Sequence, residues 1–213
     1  MQTYPIYLVD MPRRLAVVVG GGQVAERKVK DLLEAGARIR LVSPALTPAL
    51  QALAGSGAIT FVQRAYREGD LDGAFLVVAA TGEPEVNQRV WREADRRACL
   101  VNVVDDPAHC NFITPAVVRR GDVTIAVSTG GASPALARRL RERLERLVGP
   151  EYAHLARLLA ELRPRLRARY PERKARERAV FRLVDSDLLA IIETQGLEAA
   201  RLRAETLLRE DSE

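Results

Sequence analysis

Leu15-Ala16-Val17-Val18-Val19-Gly20-Gly21-Gly22-Gln23-Val24-Ala25 runs an apolar, β-branched stretch into three glycines and then into residues with helical spacing. Val24, Ala25, Val29, Leu32 and Leu33 recur near a helical period, and Gly36 is a stop signal, so a helix is expected over 24–34. The order strand, glycine turn, helix fits G-x-G-x-x-A. Gly20 permits the tight turn, Gly22 lets the backbone approach a pyrophosphate, and Ala25 allows close packing of helix on sheet. Free amides and the positive helix end then face phosphate. A glycine triplet in isolation is only a turn; after the first strand of an α/β alternation it reads as a dinucleotide site.

That alternation extends outward from the turn. Further strands are expected over Arg38–Val42, Ile59–Gln63, Phe75–Ala79 and Leu100–Val104, with a helix over Pro84–Ala98. Strands alternating with helices imply a parallel sheet with covered faces, an α/β fold of Rossmann type. After Asp105 the pattern changes. Phe112–Val118 and Val123–Ser128 read as two short β runs separated by Arg119-Arg120-Gly121-Asp122. A turn-rich segment, Ser128 to Pro134, leads into a helix over about 135–148, with Ser133 as N-cap and Pro134 in its first turn. The remainder reads as helices broken near Pro164, Pro171 and Gly196. Three regions follow: a Rossmann domain over 1–112, a small α+β central segment over 113–148 serving substrate binding and self-association, and an all-helical C-terminal region over 149–213.

The 213 residues carry 47% hydrophobic and 29% charged side chains, the balance of an ordinary globular chain rather than a disordered one. No apolar run approaches the roughly 20 residues needed to span a bilayer, and no charged segment followed by an apolar one opens the chain, so neither membrane nor secretory signal is expected. Cys99 and Cys110 are too few for a disulfide framework, and a cytoplasmic location is the default. Net charge is +5; lysine occurs only at 28, 30 and 174, so 30 of the 33 basic residues are arginine. Such a surface suits a polyanionic small molecule or nucleic acid, or is simply a solvated helical face.

Asn102-Val103-Val104-Asp105-Asp106-Pro107 closes the fifth strand at the same carboxyl edge of the sheet as the glycine turn. Asp105 is the candidate base or substrate positioner, and Asp106 reads as a turn residue. Asn102 and Val103, with Thr81 at the end of the fourth strand, are candidates to line the cofactor. The second strand ends Val42-Ser43-Pro44, without the Asp or Glu that usually receives the adenine ribose; Ser43 is a weaker substitute, while Arg38 and Arg40 would suit a 2′-phosphate. NAD and NADP both stay open on these residues. No Cys/His spacing suits a metal: His109 and Cys110 are read as non-ligating, and His154 as structural. Ser128, Thr129 and Gly130 offer hydroxyls and amides ahead of a helix, with Arg138 close behind, an arrangement open to substrate carboxylates.

Taken in order, Tyr4-Pro5-Ile6, Val18 through Lys28, Leu33-Glu34-Ala35-Gly36-Ala37, Ala79-Ala80-Thr81, Val86-Asn87-Gln88-Arg89, Asn102 through Asp105, Phe112-Ile113-Thr114-Pro115 and Ala126 through Pro134 resemble the precorrin-2 dehydrogenase/sirohydrochlorin ferrochelatase family, the part of sirohaem synthase that follows methylation. Residues 4–148 carry the resemblance, and the helical remainder is similar to the family's dimerisation region. It implies NAD as oxidant, a homodimer, and a tetrapyrrole substrate, precorrin-2 oxidised to sirohydrochlorin. It points to Asp105 for dehydrogenation and, in bifunctional members, insertion of Fe2+. Gln23, Val24, Ser43 and Pro44 match positions lining NAD, and Ser128 matches a serine beside the tetrapyrrole. The methyltransferase domain of the longest members is expected to be absent. The competing expectation is a dinucleotide-sensing regulator whose basic tail touches DNA, which would need a helix-turn-helix that the tail does not display.

Overall fold

The central strand is β1 (Leu15–Val19), buried beyond its first residue and paired in parallel with β2 (Arg38–Ser43) on one side and β4 (Leu76–Ala79) on the other. The computed structural model describes residues 3–210. Adding β3 (Thr60–Gln63) and β5 (Leu100–Val103) gives a five-stranded parallel sheet in the order β3-β2-β1-β4-β5. Cover on both faces is why these strands read as continuous apolar runs. Val18, Leu41 and Val78 join Ala25 and Val29 of α1 (Gln23–Glu34) and Leu50 of α2 (Pro48–Gly55) in one core cluster. Val17, Val19, Val77 and Ala79 join Val90 and Ala94 of α3 (Pro84–Arg96) in another. The expected Rossmann-type sheet is borne out.

Chain order reverses between β1 and β4, and that switch point sets the crevice. Val19 pairs with Val42 and with Ala79, and Ala79 with Val103, so the carboxyl ends of four strands share one register row. Helix α2 had no counterpart in the sequence reading. Its signals are local: Thr47 Oγ1 accepts from Leu50 N at 3.3 Å as N-cap, and Pro48 occupies the first turn.

The chain divides into two compact units, the first ending at Thr114 and the second beginning at Pro115. In the second, β6 (Ala116–Arg120) and β7 (Val123–Val127) form an antiparallel pair in which Arg120 faces Val123. The hairpin therefore starts later than Phe112 and turns on Gly121-Asp122 alone. The Phe112 carbonyl is already engaged by Asn102 Nδ2 at 3.1 Å, and Pro115 has no amide to donate. Arg120 leaves the strand to donate to the Val148 and Glu145 carbonyls at 2.9 and 3.0 Å, satisfying the end of α4 (Pro134–Leu147). Ser133 caps that helix through Leu136 N at 3.2 Å, as its sequence predicts.

Helices α5 (Glu151–Arg169), α6 (Arg173–Val184), α7 (Leu188–Gln195) and α8 (Leu197–Glu210) follow. Leu155, Leu158, Leu162 and Leu166 form the buried stripe of α5, packed with Leu183, Leu188, Ile192, Ala200 and Ala204. Breaks fall at Pro171 and Gly196 as expected, and another falls between Val184 and Leu188. Pro164 does not break the chain: α5 runs through it. Pro164 and Ala160, whose carbonyl loses its partner, both lie on the exposed side, where water replaces the missing bond, while burial of the leucine stripe holds the helix together. Within the described residues no helix is long and apolar enough to cross a membrane. Replacing Pro164 with Ala should therefore restore an ordinary helical turn and raise stability by about 1–3 kcal/mol, read as a higher midpoint in urea unfolding.

Candidate functional site

The turn between β1 and α1 is held from two sides. Gly20 has φ +123° and donates to the Val42 carbonyl at 2.9 Å; a Cβ there would stand 2.3 Å from the Ala80 carbonyl oxygen. Gly21, absent from the sequence-level candidates although the triplet contains it, is pressed by the other neighbour: its Cβ would meet the Ala45 oxygen at 1.9 Å. Its carbonyl accepts from Thr47 N at 3.0 Å. Gly22 differs from both. It has an ordinary φ of −86°, a Cβ would meet nothing within 4 Å, and no side chain caps the helix it begins. The opening amides of α1, on exposed Gln23, half-buried Val24 and buried Ala25, have no intrahelical partner. Open space before uncapped amides at a positive helix end fits a dinucleotide diphosphate. Glu26, in the same first turn, would oppose an anion. Its carboxylate is engaged by Lys30 Nζ at 2.6 Å and Thr47 Oγ1 at 2.7 Å, and Lys30 is the main cause holding it below the usual carboxylate range.

At the end of β2, Ser43 is buried and its hydroxyl donates to the Ala45 carbonyl at 2.7 Å, while Pro44 is exposed. The donor expected for a ribose thus braces the turn beside Gly21. Arg38 and Arg40 do not lie at the crevice at all. They occupy the first half of β2, and Arg40 sits about 10 Å of strand before Ser43. Arg38 donates to the Arg13 carbonyl at 3.4 Å, and Arg40 to those of Asp70 and Asp72 at 3.0 and 3.1 Å. Their reading as receptors for a 2′-phosphate is corrected accordingly.

Thr81, just beyond β4, is gripped by Asn87 of α3. Asn87 Oδ1 accepts from Thr81 N at 3.2 Å and lies 2.7 Å from its hydroxyl, and Nδ2 donates to the Thr81 carbonyl at 3.1 Å. Asn87 was missed as a candidate, yet its position signals it: a polar residue on the buried stripe of Val90 and Ala94.

Beyond β5 the chain closes a tight loop. Asn102 Nδ2 donates to the Phe112 carbonyl, and Val103 N donates to Cys110 Sγ at 3.2 Å while that thiol donates to the Val103 carbonyl at 3.3 Å. The Val103 side chain is buried in the core. The polar groups of both residues therefore also shape this loop, at the carboxyl end of β5 where the sequence places them beside the cofactor. Burial pushes the Cys110 thiol up. Asp106 pairs with His109 Nδ1 at 2.6 Å, and the imidazole stands edge-on to Trp91 at 4.4 Å. Asp105 is exposed, with φ +60°, a left-handed conformation rare outside glycine but tolerated by Asp. It follows a strand in register with β1 by way of β4, at the sheet edge that bears the glycine turn. Lys28 of α1 donates to Thr114 Oγ1 at 2.9 Å, and desolvation lowers its ammonium from the ordinary value. Among the described residues, no group of three or more His, Cys, Asp and Glu side chains is placed to hold a metal ion.

In the second unit, Ser128 Oγ accepts from Gly130 N at 3.1 Å, and Thr129 Oγ1 accepts from Ser133 N and donates to its carbonyl, both at 3.0 Å. Gly130 and Gly131 carry φ of +61° and +85°. The loop is thus a folded hydroxyl-and-amide turn leading into α4, with exposed Arg138 one turn on, paired to Glu142 at 3.1 Å. Exposed pairs of this kind exchange partners at little cost.

Two sequence families match in chain order. A putative NAD(P)-binding family covers residues 7–116, and the sirohaem biosynthesis protein central family covers 120–147. The chain is 40% identical over 200 residues to siroheme synthase 1 of Aeromonas hydrophila, covering 94% of this chain and 43% of that protein. It is 40% identical over 208 residues to siroheme synthase of Thioalkalivibrio sulfidiphilus, covering 98% and 42%. The chain thus spans less than half the length of these curated relatives. Among solved structures it is similar to SirC, precorrin-2 dehydrogenase, with a TM-score of 0.78 and 27% identity over 96% of this chain and 100% of that one.

The two outer glycines of G-x-G should respond differently to alanine. Gly20→Ala should destabilise the fold, measured by thermal melting, through both the positive φ and the Ala80 oxygen. Gly22→Ala should leave stability within about 0.5 kcal/mol while weakening NADH binding roughly tenfold or more in a fluorescence titration, because the added methyl occupies only the approach to the amides. A turn of this shape on a switch-point sheet, followed in order by the central segment, makes the chain a member of the putative NAD(P)-binding family, in the branch that continues into the sirohaem biosynthesis central region.

Proposed function

We propose that this protein is an NAD-dependent precorrin-2 dehydrogenase that forms sirohydrochlorin in sirohaem biosynthesis. The observation that carries the proposal is the likeness to SirC, which extends over the whole of that chain and 96% of this one and so includes both compact units. NAD rather than NADP is favoured because Arg38 and Arg40 are engaged by backbone carbonyls away from the crevice. Gln23, Val24, Ser43, Pro44 and Thr81 surround the coenzyme crevice in this reading.

When bound, NAD supplies the hydride acceptor. Oxidation of the tetrapyrrole breaks a C–H bond, the hydride leaves with its electron pair, and a proton departs to a base. Asp105 is that base: an exposed carboxylate, held by its left-handed backbone at the mouth of the crevice rather than in a packed interior. Ser128, Thr129, Gly130 and Arg138 receive carboxylates of the substrate, Arg138 by exchanging Glu142 for the ligand. In a second reaction the same Asp105 takes pyrrole protons as Fe2+ enters sirohydrochlorin as a substrate. The two cysteines are free thiols, which suits a reducing cytoplasm.

The working form is a homodimer. Leu136, Leu140 and Leu147 leave an apolar stripe along α4, with Leu147 71% exposed. A second copy of the chain packing there accounts for that exposure. Leu140→Arg should shift the protein to monomers, read by analytical ultracentrifugation, with its helical circular dichroism retained.

The deciding assay is spectroscopic. Precorrin-2 and NAD are expected to yield the sirohydrochlorin spectrum, and ferrous or cobaltous ion added afterwards reads chelation in the same cuvette. Absence of oxidation with either nucleotide would overturn the dehydrogenase. Asp105→Ala should lower kcat about 10²–10⁴-fold while leaving NADH affinity within about twofold; full turnover in both assays would remove Asp105 from the chemistry.

A further inference from the structure

Asn87 is 9% exposed, sits in the first turn and a half of α3, and directs its whole amide at one residue of another element. Oδ1 receives the Thr81 amide and hydroxyl, and Nδ2 donates to the Thr81 carbonyl. Every polar group of Thr81 is thereby engaged, its hydroxyl also accepting from Glu83 N at 3.1 Å. The gripped segment is the one that confines the glycine turn: a Cβ on Gly20 would lie 2.3 Å from the Ala80 oxygen and 3.1 Å from Thr81 N. No side-chain cap at Glu83 shares this task.

We propose that Asn87 is a positioning residue of the coenzyme site, fixing the backbone of Ala80 and Thr81 against Gly20 so that the glycine turn keeps the shape that receives a diphosphate. The inference rests on the coenzyme reading above. It gives a task to an amide on the buried face that α3 also builds from Val90, Glu93 and Ala94. An amide is needed because one carbonyl must be donated to while one amide must be accepted from. Leucine can do neither, and aspartate can only accept.

The test uses the full chain. In Asn87→Ala, NADH is expected to bind about tenfold more weakly, one or two hydrogen bonds of positioning being lost. Adenosine, which has no phosphate, should bind within twofold of wild type. Hydrogen exchange at the Thr81 amide should accelerate at least tenfold in the absence of any nucleotide. Asn87→Asp, nearly isosteric, covers the case in which the alanine variant does not fold. It loses the donor and sets a carboxylate against the Thr81 carbonyl, so NADH should weaken at least as much. Unchanged NADH affinity in a folded variant would overturn the inference. So would NADH and adenosine weakening in parallel, which is the signature of general loosening. Wild-type protein that protects Thr81 but binds no NADH would show that the coenzyme reading had failed, and the assignment of Asn87 with it.

Discussion

Three strand ends meet on Gly20. Its amide is tied to the Val42 carbonyl of β2, its α-carbon faces the Ala80 carbonyl beyond β4, and β1 delivers it there. With a side chain at this point β1 and β4 could not close to sheet distance at their carboxyl ends, and the turn into α1 would have to take another path. The crevice and the aim of the first helix follow from that one approach of backbone to backbone. Gly21 repeats it on the other side, against Ala45. Two glycines are thus required by the protein's own packing, whereas the third is surrounded by open space.

Charge is arranged with the same economy. An arginine-rich chain invites the picture of a broad basic face, yet much of its charge is locally balanced. Arg201 bridges α8 to Glu161 of α5, Arg165 reaches Glu205, and Arg203 meets Asp187. These pairs are exposed and individually weak. Their effect is to flatten the field of the helical region. Beside the glycine turn, the pairing of Glu26 with Lys30 removes what would otherwise repel an incoming diphosphate.

The alternation of strands and helices was legible because each buried strand is a continuous apolar run bounded by glycine or a polar turn. The site was less so. Ser43, Asn102 and Val103 read as ligand contacts because they end strands; the sequence did not reveal that loops beyond the strands also engage their polar groups, through Ala45, Phe112 and Cys110. One-dimensional spacing carries no information on those captures. Arg38 and Arg40 illustrate a different limit: they open the correct strand, and only the structure reveals that the Arg13, Asp70 and Asp72 carbonyls hold them away from its carboxyl end. Pro164 was read by its intrinsic preference, which the leucine stripe of α5 overrides. Asn87 and Thr47 were detectable, the first as a polar interruption of a buried stripe and the second as a cap before proline.

The uncapped start of α1 has a thermodynamic consequence of its own. A serine or aspartate in place of Gly22 would satisfy an amide that is now left to solvent, adding a few tenths of a kcal/mol to the resting fold. The chain forgoes that gain, so a bound anion contributes it instead. Folding and occupancy become linked quantities: resistance to heat or proteolysis rises with the logarithm of free coenzyme concentration above its dissociation constant. The persistence of this protein in a cell would then track the nucleotide pool, without any dedicated regulatory element.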